Sequence, residues 1–441
     1  MTFKSSFLYA ARLLTPSKRT SSNGRKSLFG AIFGIALSIV PLVVVLIVSD
    51  GMIEGITNRI VGLSSYHMQA VQTLQLNLTD DEHLEHLQNI RADIESVDGI
   101  EGAFVERQGV ALAVGKTGRT GATIRAVEND FFTRNKAFVD YVDVIDGVAD
   151  FPTSKSVVIG KKIAETLGFK VGDTIRLMTT KTLSNGTISP KMLTCKVSGI
   201  VSSGYEEIDG LWVFMPLETG FSYLSSASSQ VKIGIETVDA FSNDFTKMGI
   251  DVMSLLPAGF YIYRWNDLNS AQFENYASTK MLLMLIMFLI LLIASVNISA
   301  ALIMTTMERQ KEIAILKSIG ASGRGITRAF LIVGFFCGLG GLIIGLPIGI
   351  ILGLNFNAFL HFFENVVNSI SEFWYGITGQ LGFTPISFLS PEYYLQNIEV
   401  TIPTTEVLSI IIGTLVLSML VSIAPSVKAG KEKPLDLLRK I

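Results

Sequence analysis

"MERQKEIAILKSIGAS", Met307–Ser322, is the stretch whose reading decides the fold. It sets Glu308, Arg309, Lys311, Glu312 and Lys317 among Ile313, Ile315, Leu316 and Ile319, the pattern of a short amphipathic helix. Apolar runs flank it, Met281 to Met307 before and Ala329 to Leu354 after. A charged helix between two such runs is a loop outside a membrane that both runs cross. Its apolar stripe, Ile313, Leu316 and Ile319 with Gly320, suits a groove on a partner, and its charges can fix register at the rim. Gly320 is placed to end the helix and Ser322 to cap the next one.

Two more apolar runs lie further out. Leu28–Ser49, "LFGAIFGIALSIVPLVVVLIVS", has no charge. As a helix it would be about 33 Å long, enough for a hydrocarbon core of roughly 30 Å. It is too long for a signal-peptide core, and no small-residue cleavage site follows it, so it reads as a retained span. The fourth run is Val407 to Pro425. The mean hydropathy of +0.46 therefore averages four membrane runs and a middle segment of soluble composition. A net charge of −2 gives no sign of a nucleic-acid partner. Cys195 and Cys337 fall in different regimes and imply neither a disulfide nor a cysteine metal site.

Orientation follows from the basic residues of the short segments. The N-terminal segment carries Lys4, Arg12, Lys18, Arg19, Arg25 and Lys26, the tail carries Lys428, Lys431, Lys433, Arg439 and Lys440, and the stretch 355–406 has acids but no Lys or Arg. The expected map is a cytoplasmic segment at 1–27, spans at 28–49, 281–307, 329–354 and 407–425, and a cytoplasmic loop at 308–328. A cytoplasmic tail follows at 426–441, with a periplasmic domain at 50–279 and a periplasmic loop at 355–406. The fold class is thus an α-helical membrane protein with four transmembrane helices and a large α/β domain between the first two.

Within that domain, 64–74 alternates like a strand, 79–97 reads as a helix with acids in its first turn, and 100–107 as a second strand. The same strand–helix–strand order returns at 230–238, 240–250 and 259–266. An α/β subdomain at 50–111 and 226–279, split by a β-rich insertion at 112–225, is expected. Gly115-Lys116-Thr117 resembles the end of a phosphate loop, but Val110 stands where the motif needs Gly. His83 and His86 sit among acids as in a solvated helix start, and no metal is expected. Glu206, Glu207 and Asp209 have no nucleophile or base beside them. No catalytic residue is expected.

The third span carries Gly341, Gly345, Gly349 and Gly353 at four-residue spacing, with Gly334 and Gly338 as a further pair, which suits close helix packing. Pro41 is expected to kink the first span. Asn297, deep in the second, is expected to face other helices. Met52, Ile53, Ile56 and Ile60 share one stripe, so the first helix is expected to continue beyond the membrane as a lever.

"MERQKEIAILKSIGAS" resembles the cytoplasmic loop of ABC-transporter permeases of the lipoprotein-releasing (Lol-type) family, within the macrolide-exporter-like superfamily. The matching residues are Glu308-Arg309, Glu312-Ile313, Leu316 and Gly320-Ala321-Ser322. "GIALSIVPLVVVLIVSDGM", "VVIGKKIAETLGFKVGDTIRL" and "APSVKAGKEKPLDLLR", with Pro425, Ala429, Pro434 and Leu438, resemble the first-span exit, the domain insertion and the final exit. The family's Met-Asn-Gly at the first-span exit is here Ser49-Asp50-Gly51. The resemblance implies a non-enzymatic subunit of the bacterial inner membrane, with both termini cytoplasmic and no cofactor of its own. It implies a separate ABC ATPase dimer that binds ATP and Mg and is coupled through Glu308, Arg309, Glu312, Ile313, Leu316, Gly320, Ala321 and Ser322. It also implies a second permease chain, identical or paralogous, membrane lipid around it, a lipoprotein substrate and a periplasmic carrier. Lipoprotein contact is expected at Val45, Leu46, Ser49, Asp50, Met52 and Ile53, and carrier docking at Thr187, Ile188 and Pro190 in a hairpin tip. Two alternatives stay open: an efflux permease of a tripartite exporter, and a permease that mechanically activates a cell-wall hydrolase.

Overall fold

A computed structural model describes residues 3–14, 23–74, 78–182, 188–224, 229–238, 245–378 and 402–431. They form two compact units: a helical unit of the described residues up to Gly51 and from Asn275 onward, and an α/β unit from Met52 to Glu274.

Among the described residues, four helices are long and apolar enough to cross a membrane. The first is Asn23–Arg59, unbroken at Pro41 and continued by a π-helical turn, Ile60–Ser65. The second is Ser270–Glu308, the third Gly323–Leu354 and the fourth Thr404–Lys431. At 39 residues the second would reach about 58 Å, well beyond a hydrocarbon core of roughly 30 Å. Its polar first turns therefore extend past the bilayer.

The glycines of the third span decide how it packs, and they use two faces. Added Cβ atoms at Gly341, Gly345, Gly349 and Gly353 would overlap Ile35, Ala36, Val43 and Ile47 of the first span. At Gly334 and Gly338 they would overlap Ser422 and Ser418 of the fourth. The third span thus runs parallel to the first and antiparallel to the fourth. Side chains of all these helices, with Ala10 and Leu13 of an N-terminal helix (Phe3–Leu14), make one apolar core.

The α/β unit is built on one mixed sheet. Its strands are β1 (Met68–Gln72), β2 (Ile100–Val114), β3 (Arg119–Val127), β4 (Asp143–Gly147), β5 (Ser156–Gly160), β6 (Thr174–Thr182), β7 (Ile188–Ser202), β8 (Trp212–Pro216), β9 (Ser229–Thr237) and β10 (Phe260–Arg264). The order is β10-β1-β9-β2-β3-β8-β5-β7-β4, with β6 pairing β2 and β7. Only β3/β8 and β5/β7 are parallel among the described pairs. The long strand β2 crosses the expected boundary between residues 111 and 112: it pairs β9 along its first part and β3 and β6 further on. The strand expected over 64–74 is shorter, because Ser65 Oγ donates to the Ile60 carbonyl and holds 60–65 in the π turn. Tyr66 then turns the chain at φ 53°, with its ring laid where a side chain at Gly234 would have to sit. The helix at Asp80–Glu95 starts at a capping box between Thr79 and Glu82.

Candidate functional site at the two ends of the helical unit

At one end lies the short helix Gln310–Ser318. Gly320 follows it at φ 97°, a conformation that favours glycine. The Gly320 N–H donates to the Lys317 carbonyl at 3.0 Å and the Ala321 N–H to that of Leu316 at 2.9 Å, a Schellman closure. Ser322 Oγ accepts the Gly325 N–H at 3.2 Å and starts the third span. The loop is also tied down: Lys317 Nζ donates to the Gly430 carbonyl at 2.7 Å, and Ser6 Oγ to that of Gly325 at 3.0 Å.

One expected contact residue is placed differently. Ile313 is fully buried with Ala314 in the helical core, because an apolar side chain facing inward anchors so short a helix. The apolar face turned outward is Ile315 and Ile319, 55 % and 79 % exposed, beside half-buried Leu316. Glu308, Glu312 and Gly320 are exposed on the same loop, and Arg309 pairs with Glu312. Tyr9 of the N-terminal helix lies close enough for Glu312 to act on it: burial, then the Glu312 charge, push its hydroxyl up to about 12.

At the other end, Lys280 Nζ lies 2.6 Å from Asp50 Oδ1 and 2.7 Å from Glu406 Oε1. One cation therefore ties the first, second and fourth spans together. Beside it Leu46, Ser49, Leu283, Met284 and Met287 line a narrow apolar notch between the first and second spans. Of the residues expected to contact lipoprotein, the notch gathers Leu46, Ser49 and Asp50. Val45 is exposed away from it, while Met52 and Ile53 are half-buried further along the same helix. Lys280 and Glu406 were not anticipated. The signal was present as a lone cation and a lone acid at the starts of two apolar runs, the same end at which Asp50 closes another.

Asn297 meets the expectation only in part. It approaches Gly34 of the first span, yet it is exposed rather than enclosed by helices. The faces of this span that remain uncovered, with Ile293 and Val296 exposed, carry it outward. In the hairpin of β6 and β7, Pro190 is not at the tip: it pairs with Thr180 in the ladder, and Ile188 pairs with Thr182. Thr187 lies outside the described residues.

The α/β unit encloses a charged cluster at the end of the π turn. Arg125 Nη2 lies 2.7 Å from Glu106 Oε2, the Tyr66 hydroxyl donates to the same carboxylate at 2.7 Å, and Lys232 Nζ is 3.7 Å away. Arg125 Nη1 also donates to the Leu63 carbonyl at 2.5 Å, tying the π turn to the sheet. Burial alone would raise the Glu106 carboxyl, but Arg125 and Lys232 outweigh it and hold it at about 2. Burial lowers Lys232 to about 8 against the pull of Glu106. Glu236 has only weak cationic help: burial, with the Glu101 charge, raises it to about 7, opposed by hydrogen bonds from the Lys136 N–H and from Asn135 and by the Lys136 charge.

The remaining motifs have structural partners. Lys116 pairs with Asp173 at 2.7 Å, and Thr117 Oγ1 donates to the Thr166 carbonyl. The His83 ring bonds Gln72 at 2.8 Å and meets Phe221 edge-on. Asp209 accepts from Ser202 and Ser203, and Glu206 pairs with Lys162. No group of three potential metal ligands is gathered among the described residues.

The described residues thus combine a bundle of candidate membrane helices, with a tethered amphipathic loop at one end, and a large α/β unit. The profile of the MacB-like periplasmic core domain matches residues 28–247, and that of the FtsX-like permease C-terminal region matches 284–434. The chain belongs to the ABC-transporter permease family that combines these two parts. It is similar to the lipoprotein-releasing system transmembrane protein LolE of Haemophilus influenzae, 25 % identical over 93 % of each chain. It is also similar to LolC of Neisseria meningitidis serogroup B, 24 % identical over 93 % of each chain. Among solved structures, the periplasmic region of MacB from Actinobacillus actinomycetemcomitans aligns with 48 % of this chain and 94 % of its own, at 12 % identity and a TM-score of 0.30. The extracellular domain of the transporter YknZ aligns with 45 % of this chain and all of its own, at 14 % identity and a TM-score of 0.29.

Proposed function

We propose that this chain is a permease subunit that extracts lipoproteins from the outer leaflet of the bacterial inner membrane and passes them to a periplasmic carrier. The observation that carries this reading is the similarity to lipoprotein-releasing permeases over 93 % of both chains. The chain supplies geometry, and a separate ATPase dimer binds ATP and magnesium. Both termini and the Gln310–Ser318 helix face the cytoplasm in this reading, which the basic residues at that end support.

The outward face of Ile315, Leu316 and Ile319, rimmed by Glu308 and Glu312, takes the ATPase. Because Ile313 is set in the bundle core and Lys317 holds the Gly430 carbonyl, a push on this helix reaches the second, third and fourth spans together. At the far end the notch of Leu46, Ser49 and Asp50 receives the lipid-modified end of the substrate, with Lys280 closing it. The exposed amide of Asn297 within an apolar face supports a second permease chain there, since a polar group facing lipid is costly.

Depletion of the protein is expected to leave outer-membrane lipoproteins in the inner membrane, as fractionation would show; normal sorting in depleted cells overturns the substrate assignment. For the coupling face, the combined Glu312→Lys and Leu316→Asp changes are expected to abolish copurification of the ATPase. Retained copurification with unaltered release would sink that assignment.

A further inference from the structure

After the third span ends at Leu354, only Asn355 intervenes before a further helix, Phe356–Thr378. The helix breaks at Asn355, at φ −101° and ψ 23°, and its side-chain amide donates to the Ile351 carbonyl at 2.8 Å. The new helix is sharply two-faced. Phe359, Phe362, Phe363, Val366, Ile370 and Phe373 recur at helical spacing on one arc and are all exposed. Asn357, His361, Glu364, Asn365, Asn368 and Glu372 occupy the other arc. No residue over 356–374 is buried by the rest of the described chain.

We propose that this apolar face rests on the headgroup–acyl boundary of the bilayer that the third span crosses, and that its lipid partner is electrically neutral phospholipid. The place of the helix argues for lipid. A one-residue joint to a membrane span fixes its first turn at the membrane surface, where an amphipathic helix buries its apolar arc among acyl chains. The charge pattern argues for the lipid class. Helices that seek anionic lipid carry Lys and Arg on the polar face; here that face has none, and it carries Glu364 and Glu372. The Gly353–Ile47 contact sets the start of the helix within a turn or so of Ser49 and Asp50. The helix thus holds the leaflet beside the notch from which lipid would be drawn. This inference rests on the third span crossing the membrane and not on the identity of the transported substrate.

The test uses the full-length chain, with whatever subunits copurify, in phosphatidylcholine nanodiscs. Cys195 and Cys337 are buried, so an environment-sensitive fluorophore is directed to one introduced thiol. Labels at Phe362→Cys and, independently, Ile370→Cys are expected to be quenched several-fold more by brominated phosphatidylcholine than a label at Asn365→Cys. Aqueous iodide is expected to give the reverse order, and replacing part of the lipid by phosphatidylglycerol to leave the pattern unchanged. Equal iodide quenching on both arcs would place the helix in water and overturn the proposal. Silence of the apolar-arc labels to both quenchers would mean that protein covers them, either a second copy or the segment 379–401, and would overturn it as well. A requirement for phosphatidylglycerol would overturn the neutral-lipid assignment.

Discussion

Two of the ionic ties among the described residues are built in opposite ways. In the α/β unit, Glu106, Arg125 and Lys232 are almost wholly enclosed, and every partner is supplied by the sheet or by the π turn. In the helical unit, Asp50, Lys280 and Glu406 lie at a span end, with Lys280 36 % exposed. An enclosed set cannot exchange partners for water, so removing one member strands the others at a cost of several kcal/mol. A half-exposed set can, so it holds three helices while they are at rest and releases them cheaply.

Replacing members of each set would break or sharpen this contrast. Arg125→Met should have the largest effect: it leaves Glu106 charged and buried and frees the Leu63 carbonyl, so a loss of about 3–5 kcal/mol is expected in denaturant unfolding of the α/β unit. A loss below about 1 kcal/mol, the range of surface pairs, would put this cluster in the same class as the Lys280 tie.

Glu236 tests burial without a strong cation partner. Its carboxyl is raised from 4.5 to about 7, so the folded state favours the protonated form. The stabilisation is complete below the unfolded value and is lost as pH rises through about 7. Glu236→Gln should therefore flatten the fall in melting temperature between pH 5 and pH 8. An unchanged slope would show that the carboxylate is accommodated in its charged form.

Lys280→Met should cost least in stability, about 1 kcal/mol or less, while altering the rate of lipoprotein release per ATP hydrolysed in proteoliposomes. A large loss of stability with unaltered release would make this tie structural, like that of the α/β unit.

The membrane spans and the amphipathic loop between the second and third were legible because their determinants are local. Charge-free length marks a span, and Gly320 with Ser322 closes one helix and opens the next within three residues. The enclosed cluster was not legible. Tyr66, Glu106, Arg125 and Lys232 come from separate strands and their flanks, and nothing within a short window distinguishes them from strand residues facing solvent. Lys280 reads in isolation as the polar edge of an apolar run, and its role appears only when three helix ends are brought together. Ile313 was assigned to the partner's side because the period of the loop helix gives a stripe without saying which neighbour covers it. Phe359, Phe362, Phe363, Val366 and Ile370 recur at the period of a helix, but the sequence does not say what covers such a face; the acids and missing cations of 355–406 bear on topology alone.

The glycines of the third span carry one more consequence. Gly341, Gly345, Gly349 and Gly353 repeat every four residues, and so do Ile35, Ile39, Val43 and Ile47 on the helix that fills their notches. Matched combs of equal pitch interlock. A shift of the first span along the third would have to lift these side chains out of the notches, and the next register that refits them lies about 6 Å away, four residues of helix rise.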